Sequence, residues 1–131
     1  MNTNIKKLEK REDARGYLFE ILRKDEINED IAQIHFSVSK PGMVRGNHYH
    51  NRKVEWFCVV EGAALLLLED IHSLEKVELV LSGAKPQVVK IPPTVTHAIK
   101  NIGNNSMYLV VANNEVFDPV DTDTHSRVIL S

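Results

Sequence analysis

Cysteine is almost missing: Cys58 stands alone in 131 residues, so no intrachain disulfide can form and a secreted disulfide scaffold is excluded. Long hydrophobic runs are missing too. The longest, such as AALLLL at 63–68, fall well short of the roughly 20 apolar residues a membrane-spanning helix needs. Residues 1–12, MNTNIKKLEKRE, carry charge without the apolar stretch of a signal peptide, so the cytoplasm is the expected location and no membrane partner is expected. Nor does charge of one sign dominate. A formal net charge of -2 gives no broad attraction for nucleic acid, which leaves a small molecule or another protein as the expected partner. No Gly/Ser-rich linker or low-complexity tract divides the chain, and its length suits one domain, 1–131, with one core.

What is present reads as strand. Short runs rich in Val, Ile, Leu and aromatics recur: YLFEIL, IAQIHFSV, VEWFCVV, AALLLLED, KVELVL, QVVKI, HAIKNI, MYLVVA and RVIL. Between them stand SKPG, EG, SGAKP, PP, GNNS and FDPVD, composed of the turn formers Pro, Gly, Asn and Asp. The pattern predicts an all-β sandwich or barrel, with KDEINED too short and polar to be more than a turn. In the second run Ile34, Phe36 and Val38 alternate with Gln33, His35, Ser37 and Ser39. That polar face is either wetted at the surface or turned inward to line a cavity.

The stretch GMVRGNHYHNRKVEWFCVVEG, residues 42–62, carries the chemistry. On an extended chain His48 and His50 project to one side and Tyr49 to the other, so two imidazoles approach one point. A turn through NRKV returns Glu55 on the next strand, and a third imidazole is available from His97, which the prolines of KIPPTVTHAIKN deliver at the start of a strand. Three imidazoles and a carboxylate suit a divalent transition metal. An imidazole that gives its lone pair to a metal cannot also take a proton through it, so His48 is a ligand or a base, and His35 is a second candidate base or a hydrogen-bonded barrel histidine. Lys53 sits in the turn beside the pocket. His72 and His125 read as surface residues, and Cys58 as packed rather than reactive. In VEWFCVV both faces are apolar, which places that strand between layers or against another subunit.

Residues 42–62 resemble the first cupin motif, G(x)5HxH(x)3,4E(x)6G, at every fixed position, and PPTVTHAIKN resembles the second, PxG(x)2H(x)3N, in Pro92, His97 and Asn101, with Thr94 where glycine is usual. The implied fold is the cupin double-stranded β-helix, a jelly-roll barrel. Within the cupins, DARGYLFEI resembles the DxRGxxxE opening of dTDP-4-dehydrorhamnose 3,5-epimerases. SKPG, GNHYH, EWFCVVEG and ANNEVFDP are similar to the C-terminal cupin domain of capsular polysaccharide reductases. The resemblance implies an isomerase of cell-surface polysaccharide precursor synthesis: a zinc-binding epimerase acting at C3 of a nucleotide-linked 4-keto-6-deoxyhexose. It implies ligands His48, His50, Glu55 and His97, catalysis by His48 and His35, and a nucleotide-diphosphate sugar contacted by Arg15, Arg45, Gln33 and Ser37. A homodimer is implied as well. Phe117 occupies the place of the proton-donating tyrosine of the 3,5-epimerases, which favours single epimerisation. A sugar 3,4-ketoisomerase and a non-catalytic sugar- or metal-binding cupin are the alternatives.

Overall fold

The computed structural model describes residues 1 and 4–131. It contains twelve strands: β1 Asn4–Lys7, β2 Arg11–Asp13, β3 Gly16–Leu18, β4 Gln33–Ser39, β5 Val44–Tyr49, β6 Glu55–Glu61, β7 Ala63–Asp70, β8 Lys76–Ser82, β9 Gln87–Ile91, β10 Val95–Asn101, β11 Met107–Asn113 and β12 His125–Ser126. Two five-stranded antiparallel sheets, ordered β1-β9-β6-β11-β4 and β12-β5-β10-β7-β8, face one another as the sandwich that the strand spacing predicts and the jelly roll that the cupin resemblance implies. Lys24–Glu26 forms a single 3-10 turn within KDEINED, and among the described residues no helix is long and apolar enough to cross a membrane.

Alternation explains the layering. Phe57 and Val59 of β6, Leu66 and Leu68 of β7, Val89 and Ile91 of β9, Ile99 of β10, and Leu109 and Val111 of β11 meet between the sheets as the main core. The opposite face of the first sheet carries Trp56, Val88 and Ala112, and these are packed by Leu8, Ile21, Leu22, Ile27 and Ile31. The doubly apolar β6 is thus sandwiched by the chain's own N-terminal segment, and its outer face gives no support to the expected dimer. A different surface is bare. Ile34 (67% exposed) and Phe36 (58%) project outward from the edge strand β4, beside Val38 and Tyr108.

Several expected boundaries move. The run YLFEIL yields strand only at its start, in a hairpin with β2, because its later residues Ile21 and Leu22 turn down as the cover over Trp56. β10 opens at Val95, two residues before His97. RVIL forms no strand: Asn47 Oδ1 accepts from Ile129 N (2.9 Å) and Leu130 N (3.0 Å), so a side chain replaces the ladder. The polar NIKK of β1 pairs along β9 through backbone groups that side-chain character does not reveal.

Candidate active site

β5 and β10 run side by side, and their approach sets the site. Their register pairs His97 with His48 but Ala98 with Gly46, leaving Asn47 as the extra residue of a bulge. Gly46 at φ +95 and Asn47 at φ +57 form the kink. A Cβ on Gly46 would lie 2.6 Å from the His97 carbonyl oxygen, so only glycine permits this contact. Immediately beyond, His48 and His50 turn inward toward Glu55 at the start of β6 and His97 on β10.

The four candidate ligand atoms of His48, His50, Glu55 and His97 all lie within 4.8 Å of one another. His50 Nδ1 donates to the Asp123 carbonyl (2.7 Å) and His97 Nδ1 to the Val95 carbonyl (3.2 Å), so in the neutral rings each Nε2 carries a lone pair. Those nitrogens stand 2.8 Å and 3.0 Å from the same Glu55 Oε1. His97 Nε2 is buried and makes no hydrogen bond among the described residues. Acceptors this close repel unless a cation or a proton lies among them, and the donor set fits a divalent metal. Glu55 is further held by Asn113, whose amide nitrogen, in the orientation its neighbours favour, donates to Oε2 (3.0 Å).

Charge follows the geometry. Burial alone would raise the Glu55 carboxyl, but the His50 and His97 imidazoles against it, in their protonated forms, outweigh burial and hold the group well below the carboxylate range. Burial likewise opposes charge on His50, yet Glu55 overrides it and raises the imidazole, so proton and metal compete for one nitrogen. His48 is pushed down to about 4, chiefly by burial and then by the neighbouring His97 and His50. It is neutral at pH 7 and makes no side-chain hydrogen bond among the described residues.

Above the cluster opens a cavity of about 410 Å³ lined by Gln33, His35, Ser37, Arg45, His48 and Lys53, among others. The alternating face of β4 is therefore turned inward, and its apolar face outward. Arg45 is anchored to Ser39 Oγ and the Val38 carbonyl (2.8 Å each), and Gln33 Oε1 accepts from the Phe117 N–H (2.8 Å). Lys53, expected only as a turn residue, is 4% exposed. Its ammonium donates to the Thr122 carbonyl (2.9 Å) and lies 5.4 Å from the Phe117 ring, with no carboxylate partner among the described residues. Arg15 is not brought to this cavity. It stands on the β2–β3 hairpin with an 89% exposed side chain, paired to Asp13 at 2.6 Å.

His72 and His125 lie at the surface, and Cys58 is fully buried with its thiol pushed up to about 12 by that burial. Thr94 takes φ +65, the left-handed conformation of the glycine it replaces, and its N–H donates to the His50 carbonyl (2.7 Å), so the turn keeps its path. Asp123 and Asn113 escaped the sequence reading. The only signal for Asn113 is a polar residue ending an apolar strand, and Asp123 lies in the turn-coded DTDT.

An antiparallel double sheet with three imidazoles and a carboxylate converging from β5, β6 and β10 defines a cupin with a metal-type donor set. The chain belongs to the polysaccharide biosynthesis C-terminal domain family, whose profile matches residues 11–125. It is similar to a UDP-2-acetamido-2,6-beta-L-arabino-hexul-4-ose reductase of Pseudomonas aeruginosa, 35% identical over 114 residues, covering 87% of this chain and 30% of that protein. It is also similar to the capsular polysaccharide assembling protein CapF of Staphylococcus aureus, with 35% identity and a TM-score of 0.74 over 93% of this chain and 34% of that one. The chain therefore spans about a third of the length of these two relatives. The dTDP-6-deoxy-D-glucose-3,5-epimerase RmlC of Legionella pneumophila shares the fold, with a TM-score of 0.83 at 20% identity over 95% of this chain and 71% of that one.

Proposed function

We propose that residues 1–131 form one catalytic unit that epimerises C3 of a nucleotide-linked 4-keto-6-deoxyhexose in polysaccharide precursor synthesis, with His35 as base. The observation that carries this reading is the His48–His50–Glu55–His97 cluster at the floor of a cavity rimmed by Arg45, Lys53 and His35. The Pseudomonas relative, whose name denotes a UDP-linked 4-keto sugar, supports the substrate class.

Removing a hydrogen beside a ketone leaves a carbanion that delocalises onto oxygen, so a base and a group that stabilises the enolate are sufficient. His48, His50, Glu55 and His97 would hold the metal, zinc being the ion this nitrogen and oxygen set suits, and when bound it supplies Lewis-acid polarisation of the ketone. With His48 engaged there, His35 on the opposite wall takes the C3 proton. The Lys53 ammonium, buried and without a carboxylate partner, holds charge developing on the enolate oxygen. Phe117 at the rim offers no proton, so water admitted by the open cavity returns one to the other face of C3. Arg45 pairs with diphosphate oxygens, and Gln33 and Ser37 orient the sugar. The exposed Ile34, Phe36, Val38 and Tyr108 support a homodimer joined through this face.

Deuterium incorporation tests the reaction. In heavy water, a UDP-linked 4-keto-6-deoxy sugar should gain deuterium at C3, and His35→Ala should slow this about 100-fold or more. An unexchanged C3 makes the protein a binding module, and a 3-keto product makes it a ketoisomerase. Elemental analysis of His50→Ala beside the wild type tests the ligand set, the variant being expected to lose most of its metal.

A further inference from the structure

His50 is oriented by a segment more than seventy residues away in sequence. After β11 the chain returns past the turn that joins β5 to β6, and there Asp123 makes two kinds of contact at once. Its side chain accepts the N–H groups of Asn51 (Oδ1, 2.9 Å), Arg52 (Oδ2, 2.8 Å) and Lys53 (Oδ2, 3.1 Å), three consecutive donors between His50 and Glu55. Its main-chain carbonyl accepts from His50 Nδ1 (2.7 Å). To do both, the residue is buried and adopts φ +47, a conformation uncommon outside glycine but tolerated by aspartate.

The contacts have different consequences. Capping the three N–H groups fixes the length and path of the turn, and so the distance between His50 and Glu55. Accepting from Nδ1 fixes the ring's tautomer: the proton sits on Nδ1 and the lone pair on Nε2, which faces Glu55 Oε1 at 2.8 Å. A neutral imidazole without that acceptor is free to carry its proton on Nε2, where it would block a metal.

The segment is fastened beyond Asp123 independently of it. Arg127 N–H donates to the Asn47 carbonyl (2.8 Å), Asn47 Nδ2 donates to the Leu130 carbonyl (2.9 Å), and the Arg127 guanidinium meets buried Glu69 and Thr96. Asn47 is the bulged residue that precedes His48, so the C-terminal segment grips β5 on both sides of the histidine pair.

We propose that Asp123 is a positioning residue that sets the metal-competent tautomer of His50 and its spacing from Glu55, an inference that rests on the metal-site reading above. Two measurements test it. The first is nitrogen NMR of the metal-free protein at alkaline pH, where His50 should be the Nδ1–H tautomer in the wild type and a mixture in Asp123→Ala, because alanine lacks the side-chain contacts that hold this φ +47 backbone and so lets the accepting carbonyl move off Nδ1. The second is the zinc dissociation constant by chelator competition, which should rise about 10- to 100-fold in Asp123→Ala. Asp123→Asn keeps size and backbone preference while leaving one acceptor oxygen for the three N–H groups. It should lose less, and it carries the test if the alanine variant does not fold. Arg127→Gln loosens the segment elsewhere and should stay within about threefold of the wild type.

Unchanged zinc affinity and tautomer in a folded Asp123 variant overturn the proposal. So does a loss in Arg127→Gln equal to that in Asp123→Ala, which would assign the effect to the segment as a whole. A wild-type chain that binds no zinc sinks the metal reading instead, and the tautomer of the metal-free protein then decides whether Asp123 orients His50.

Discussion

The His48–His50–Glu55–His97 cluster and the β2–β3 hairpin each match a sequence motif, yet the fold treats them differently. His50, Glu55 and His97 are buried, drawn from the turn just after β5 and from β6 and β10, and bonded to Asp123, Asn113 and Val95. The hairpin, by contrast, pairs with itself alone in a two-stranded sheet, and its strand residues are exposed. A two-stranded ribbon is marginal by itself in water. The difference teaches that matching residue types identify a chemistry, while preorganisation comes from long-range packing. One chain supplies the second for the cluster and leaves the hairpin's Arg15 outside the cavity.

The sharpest way to break the comparison is Gly46→Ala. Its methyl would strike the His97 carbonyl and strain a left-handed backbone, so unfolding free energy should fall by about 2–5 kcal/mol in denaturant titration. A variant of wild-type stability with full metal content would mean the bulge is dispensable.

The two arginines come next. Arg45→Ala should weaken nucleoside diphosphate binding about tenfold by calorimetry, the worth of a charge-assisted contact. For a single copy acting alone, Arg15→Ala should stay within about twofold. An equal loss in both would show that another copy's hairpin reaches the cavity.

A smaller effect comes from pH. In the metal-free protein Glu55 is lowered and His50 raised from ordinary values of 4.5 and 6.5. The lowered carboxyl contributes stability above its unfolded value, and the raised imidazole contributes below its own, so the ion pair is strongest between them. As pH rises from 6 to 8, the metal-free wild type should lose its stability advantage over Glu55→Gln. The stabilisation conferred by added zinc should grow over the same interval, because the proton leaves the nitrogen the metal needs. Thermal melts with and without chelator measure both slopes.

Much of this was legible in the sequence, for identifiable reasons. Period-two spacing places His48 and His50 together, and the prolines deliver His97, because both depend on local geometry. The alternation of β4 reveals two faces but not which one turns inward, since that depends on the neighbouring strand β11. Asp123 was illegible because it works through backbone groups far away in sequence, and the C-terminal RVIL misled because its backbone is satisfied by the Asn47 side chain. Thr94 gives the mildest test of local legibility. Replacing it with the motif's glycine relieves a strained φ at the cost of chain entropy, for a net gain of at most about 2 kcal/mol by thermal unfolding.

Trp56 is the sole tryptophan, and it lies beneath the segment holding Ile21, Leu22, Ile27 and Ile31, on the face of β6 turned away from Glu55. Nature has thereby installed an optical gauge on the far wall: ultraviolet emission from that indole will redden when the overlying ribbon peels away. Events at the histidines can be followed separately, in a cobalt-substituted sample, by visible absorption.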